Sequence, residues 1–150
     1  NTSPLRALVQ GAGESLRIGR VAFLAELDRS VALRRILNLY LHTLMTQLAT
    51  SASCLRYHEV GPRLARWLLM SHDRAHSDHF LMTHEFLSTM LGVRRVGITM
   101  AAGALQRAGL IEYQRGEITV LNRKGLQAMS CTCYEIDRQS YRDAMGRERK

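Results

Sequence analysis

The sequence predicts a mainly α-helical chain with one small β-hairpin. Three observations predict it. Residues 31 to 58 carry a helical apolar stripe uninterrupted by Gly or Pro. Residues 83 to 111 read as two short helices around a tight turn. Residues 110 to 121 then hold two β-favouring runs about a Gly-containing turn, which is a hairpin signal. A helix-turn-helix followed at once by a hairpin is a winged helix. The architecture expected is a long dimerisation helix followed by a winged helix-turn-helix domain.

The helix pair is the most readable stretch. Thr83 is a good N-cap, because its side-chain oxygen can accept a backbone N–H of the first turn. Leu87, Met90 and Leu91 recur at helical spacing and define one buried face. Gly92 stands where the first helix must stop, and glycine tolerates the left-handed conformation such a stop needs. Arg94 opens the second helix. Its apolar residues Ile98, Ala101, Ala102 and Leu105 form the buried stripe, and Gly109 lies just past its end. The opposite face carries Arg94, Arg95 and Arg107, with no acidic residue between Gly92 and Ile111. Two arginines at a helix N-terminus oppose the macrodipole, which favours anions there. They make sense if a phosphate backbone or a base edge supplies the negative charge. A helical hairpin with a solvated basic face has the same periodicity.

The whole run resembles the CRP/FNR family of bacterial transcription regulators. The matching residues are Thr83-His84-Glu85-Phe86-Leu87, Gly92-Val93-Arg94-Arg95, Leu105-Gln106-Arg107-Ala108-Gly109-Leu110-Ile111 and Arg115-Gly116 in the wing. Leu121-Asn122-Arg123-Lys124-Gly125-Leu126 and Cys131-Thr132-Cys133-Tyr134 resemble one branch of the family. The likeness covers roughly residues 20 to 145. It implies a homodimer that binds a palindromic double-stranded DNA operator, with the second helix in the major groove. It also brings RNA polymerase into view as a further partner. By this resemblance Thr83, His84, Arg94, Arg95, Gly97, Thr99, Met100 and Arg115 are the DNA-binding residues. Arg95 matches a guanine-reading position. His84, Arg94 and Gly97 match phosphate contacts, and Arg115 should reach a phosphate from the wing. Val96 and Met100 depart from the family, whose best-known members carry a glutamate and an arginine there, so the operator should differ from theirs.

Composition agrees with a polyanionic partner. The chain has 150 residues, a net charge of +8 and 46% hydrophobic residues, which is enough apolar content for a real core. Its pI is about 10.1. No apolar run approaches the length of a membrane span. The N-terminus lacks the pattern of a signal peptide. Three cysteines, an odd number, argue against a disulfide scaffold and suit a reducing cytoplasm.

Taken in order, Gly11-Ala12-Gly13 reads as a turn, Glu14 to Ile18 as a strand, and Val21 to Leu27 as a short amphipathic helix. By resemblance, residues 1 to 30 are the remnant of a cyclic-nucleotide-binding-like sensor domain, without its phosphate cassette. Residues 31 to 58 are the dimerisation helix. Leu33, Leu37, Tyr40, Leu44, Leu48, Ala52 and Leu55 line one side of it over about 25 residues, or roughly 38 Å. Such a stripe fits a coiled-coil-like seam, although a core helix inside one subunit would look similar. Residues 59 to 150 form the DNA-binding domain. Pro62 suits the first turn of a helix running from Arg63 to Ser71, with Leu64, Trp67 and Leu68 buried. Residues 72 to 79 read as a polar loop and 80 to 82 as a short strand. After the hairpin, Asn122 caps a helix reaching Ser130, and a last helix spans Tyr134 to Ala144, before a basic tail.

Other chemistry weighs less. His72, His76 and His79 with Asp73 and Asp78 are ligand-type side chains, but a polar loop has the same composition. Cys54 and His58 lie one turn apart and could share a metal, for instance across a dimer. Cys131-x-Cys133 is not a CxxC and has no second pair. In a strand the two would face one side, as buried structural cysteines or as a redox pair. No metal and no cofactor are therefore expected. Nothing resembles a nucleophile elbow or a phosphate-cradling loop, so no enzyme is expected. Two alternatives to a DNA reader are a basic interaction module and a small-molecule or redox-responsive sensor.

Overall fold

The computed structural model describes residue 9, residues 13–75 and residues 77–146. Gly11, Ala12, His76 and the tail beyond residue 146 lie outside them. Residues 14–18 form no strand; the first regular element is α1 (Arg20–Arg29), none of whose residues is buried. Without a neighbouring strand, a lone extended segment has no ladder to join.

Ser30 ends α1 and starts α2 (Val31–Tyr57), its hydroxyl accepting from the Leu33 N–H at 3.1 Å. Arg34 reaches back to the Leu27 carbonyl at 2.7 Å and ties the two helices. Helix α2 buries only Thr43 and Cys54. These lie on the side that packs against α7 (Cys133–Met145). The Thr43 hydroxyl is satisfied by donating to the Leu39 carbonyl at 2.9 Å. The large apolar residues face elsewhere: Tyr40, Leu44, Leu48 and Leu55 are exposed, and Leu33 and Leu37 are half-buried.

Helix α3 (Val60–Ala75) is the spine of the main core, with Pro62 in its first turn and Leu64, Ala65, Leu68 and Leu69 fully buried. It continues a turn beyond the expected Ser71, so His72 and Asp73 are helical and not loop residues. Their side chains explain the extension. Arg123 donates to His72 Nδ1 at 2.9 Å and to Asp73 Oδ1 at 2.7 Å, and the Tyr134 hydroxyl donates to Asp73 Oδ2 at 2.8 Å. Trp67 is half-buried at the edge of this core, its indole N–H enclosed without a partner among the described residues.

Strand β1 (His79–Leu81) leads into α4 (His84–Leu91), α5 (Arg95–Arg107) and the hairpin of β2 (Ile111–Gln114) and β3 (Glu117–Val120). The antiparallel sheet has the order β1-β3-β2, with Phe80 and Tyr113 both opposite Ile118. Helix α6 (Arg123–Met129) starts at Asn122, whose side chain accepts from the Gly125 N–H at 2.8 Å. Gly125 leaves room for Leu110, because a Cβ would lie 2.5 Å from Leu110 Cδ2 and force that side chain to shift. One core joins α3, α4, α5, the sheet, Leu126 and Tyr134.

Two arginines of α3 are buried, against the usual rule for that residue. Arg66 pairs with Asp137 of α7 at 2.5 Å and donates to Ser51 Oγ of α2 at 3.1 Å. Arg63 donates to the Leu91 carbonyl at the end of α4. Buried cations thus clamp α3 to the long helix on one side and to the helix pair on the other.

Candidate nucleic-acid interface

The candidate surface starts from two turns. Thr83 Oγ1 accepts from the Phe86 N–H at 3.1 Å and opens α4. Gly92, at φ +60°, closes it, and the Val93 N–H reaches back to the Ser88 carbonyl at 3.0 Å. This is the left-handed stop that a non-glycine residue disfavours. Arg94 is the extended residue before α5, and its side chain makes no capping bond. Helix α5 buries Ile98, Ala101, Ala102 and Leu105. Met90, expected on the buried face of α4, is half-buried at its margin.

The stripe sets the phase of α5. Arg94, Arg95, Val96, Thr99 and Met100 are exposed, and Gly97 is half-exposed. Val96 and Met100 are 62% and 70% exposed, apolar side chains standing among cations. Arg107 is exposed at the far end of the same helix.

His84 is built into this surface. Its ring stacks on Tyr113 at 4.2 Å between centroids, and its Nδ1 lies 3.0 Å from Thr99 Oγ1. Thr99 Oγ1 also lies 3.2 Å from the Arg95 carbonyl. Hydrogen bonds therefore link α4 to α5, and the ring stack ties α4 to β2. Burial first, and then the adjacent Arg95 cation, push the His84 imidazole below its ordinary value of 6.5. The neutral ring is the form that fits this stack beside a guanidinium.

The wing closes the surface on its other side. Arg115 at φ +51° and Gly116 at φ +87° form the two-residue turn between β2 and β3. Positive φ at both positions is the hairpin turn that matches strand twist. Gly116 accepts from the Met82 N–H at 2.7 Å, and a Cβ on it would lie 3.4 Å from Thr83 Cγ2. The wing turn thus abuts the first residue of the helix pair. Arg115 is exposed at its tip.

The expected polar loop is no ligand cluster among the described residues. His72 Nε2 lies 2.5 Å from Asp78 Oδ1, and His79 pairs with Thr119 and Glu117 across the sheet edge. The cysteines behave differently from expectation. Cys131 and Cys133 lie in no strand; they flank the bend into α7. That bend lies against the end of α2. Cys54 Sγ stands 3.5 Å from Cys131 Sγ, and Cys133 Sγ stands 3.5 Å from His58 Nδ1. The expected pairing of Cys54 with His58 therefore gains two further partners from within the same chain. Burial first, and then hydrogen bonding to Cys131, push the Cys54 thiol up to about 12. Burial also raises Cys133. No sequence signal joined these four residues, because the pairs are more than seventy positions apart.

Comparison with known proteins follows this geometry. Residues 62–129 match the Crp-like helix-turn-helix domain. A transcriptional regulator assigned to the CRP/FNR family from Eubacterium rectale is 24% identical, with a TM-score of 0.55 over 70% of this chain and 49% of that one. A CRP-family transcriptional regulator from Thermus thermophilus is 20% identical, with a TM-score of 0.53 over 75% of this chain and 55% of that one. At such identities the likeness is one of fold. The chain spans about half the length of each structure. No curated protein matches it.

Proposed function

We propose that this chain, of CRP/FNR type by its Crp-like helix-turn-helix domain, is a transcription regulator that binds a specific duplex as a homodimer. The observation that carries this reading is the exposed face of α5. It presents Arg94 and Arg95 at its N-terminus without an acidic residue, beside the wing arginine Arg115. A helix with that face enters the major groove N-terminus first. Arg95 donates its fork to the O6 and N7 of a guanine. Val96 and Met100 offer apolar contact, which suits thymine methyl groups. Arg94, the Gly97 backbone, Thr83 and Arg115 meet phosphates and fix the register. His84 and Thr99 hold α5 against α4 and the wing, and their outer edges border the same groove.

Dimerisation runs through α2. Ile36, Tyr40, Leu41, Leu44, Met45, Leu48 and Leu55 are all exposed along one helix. Monomers rarely leave so large an apolar surface to water. Two-fold pairing of α2 would present two α5 helices to a palindromic operator, with residues 31–58 as seam and 59–150 as reader. Such a regulator would act in the cytoplasm, with RNA polymerase as the machinery it recruits or blocks.

The test is selection of binding sites from random duplex DNA at fixed salt, followed by two variants. Arg95→Ala should cost about 1–3 kcal/mol and flatten preference at one symmetric position. Arg94→Ala should weaken all sequences alike and reduce the salt slope by about one per subunit. If Arg95→Ala leaves affinity and preference intact, residue 95 reads no base. If no palindromic site is enriched, the basic-module alternative is the better description.

A further inference from the structure

We propose that Cys54, His58, Cys131 and Cys133 form a site for one zinc-class divalent cation, which staples the end of α2 to the bend between α6 and α7. The ligand atoms, three Sγ and one imidazole nitrogen, all lie within 4.8 Å of one another. The cysteines are buried and His58 is half-buried. A tetrahedral ion holds thiolate sulfur at about 2.3 Å and imidazole nitrogen at about 2.0–2.1 Å, which puts its ligands roughly 3.5–3.8 Å apart. The two measured edges, Cys54–Cys131 and Cys133–His58, are each 3.5 Å. No edge exceeds 4.8 Å, so the widest closes by at most about 1 Å to reach a coordination sphere.

The donor set selects the metal class. Three soft sulfurs and an imidazole suit zinc, whereas magnesium and calcium prefer oxygen. Four protein ligands leave no open position, so the site is structural and not catalytic. An iron–sulfur cluster is several atoms wide and needs its ligand sulfurs spread further apart than this pocket allows. Binding releases the three thiol protons, because the ligands are thiolates. The loaded site then carries one net negative charge. Arg66, paired with Asp137, stands close enough for its charge to act on Cys54 and Cys133.

The local fold explains why these residues meet. Cys54 lies in the last turn of α2, and His58 is the extended residue that ends the helix, its N–H bonding the Cys54 carbonyl at 3.1 Å. Cys131 and Cys133 flank Thr132, and the Cys131 N–H bonds the Pro62 carbonyl at 3.4 Å, which fixes the bend against the start of α3. The site therefore joins the long helix to the domain that carries α5. A cation there would set how the recognition helices hang from α2. The inference rests on ligand geometry alone and stands apart from DNA reading.

The test uses the full chain purified under reducing conditions. Elemental analysis by mass spectrometry should find one zinc per chain. Cys54→Ser and Cys131→Ser should each bring the zinc to background. Since such variants can fail to fold, the unmodified chain is also stripped with a chelator and refilled with Co²⁺. Tetrahedral cobalt–thiolate absorption should appear, and Zn²⁺ should displace it. Cys133→Ser should reduce the sulfur-to-cobalt band by roughly a third, one thiolate of three. Three results would each overturn the proposal: a metal-free protein that takes up no cobalt, a coloured protein holding iron and acid-labile sulfide, or a Cys54–Cys131 disulfide with no bound metal.

Discussion

Arg66 and Asp137 lie among the buried side chains between α3 and α7, where a lone charge is costly. Arg66 Nη2 and Nε both donate to the one oxygen Asp137 Oδ2, at 2.5 and 3.2 Å, and that pairing offsets the cost only while both partners are present. Asp137→Ala should therefore destabilise the chain by about 3–5 kcal/mol, read from urea unfolding. The pair Arg66→Met with Asp137→Leu should recover most of that loss, because apolar side chains of similar size need no partner. His84 gives a pH signature. Its folded value lies below 6.5, so the unfolded chain takes up the proton first and stability rises with pH through this window. The contribution is present in full above 6.5 and is lost as the pH falls through the lowered folded value. Melting curves should show a steeper acid loss for the unmodified chain than for His84→Gln; equal slopes would mean that the stacked ring contributes nothing to the dependence.

At the scale of elements, the turn between α4 and α5 sets the angle of α5. Gly92 holds φ +60° with its surroundings open enough for a methyl group, the nearest atom being Leu55 Cδ2 at 3.8 Å. The penalty for Gly92→Ala is thus conformational and not steric, about 1–2 kcal/mol. Calorimetry of that variant should show a lower Tm, with the unfolding transition still cooperative. A larger loss would mean that the turn is strained in other ways. These elements were legible because each carries its own signal. Thr83, Asn122 and Gly109 mark ends, and the Ile98–Leu105 stripe marks a face. The missed turn of α3 carried no such signal. His72 and Asp73 look like loop residues until Arg123 and Tyr134, some fifty to sixty positions later, bind them.

For the whole molecule, the question is what covers α2. Within the chain α7 packs on its Thr43 and Cys54 side, and the apolar line of Leu44 and Leu48 stays exposed. Sedimentation of the unmodified chain at micromolar concentration should therefore show a dimer. Leu44→Glu with Leu48→Glu should give a monomer of unchanged helix content, since neither side chain is buried in the chain's own core. A clean monomer from the unmodified sequence would remove the seam. The same double variant should then bind a half-site as weakly as a single reading helix does.

By itself the sequence determined the helix periods, the caps, the glycine stops, the hairpin turn and the basic face of α5. Each of these arises from residues within a few positions of one another, where backbone sterics and side-chain spacing act directly. Only the tertiary structure decided that Cys54 and His58 meet Cys131 and Cys133, that Arg66 finds Asp137, and that His84 lies between Thr99 and Tyr113. Those meetings depend on how α7 and the wing fold back onto earlier helices. That return is set by burial of the shared core, which no local pattern of residues encodes.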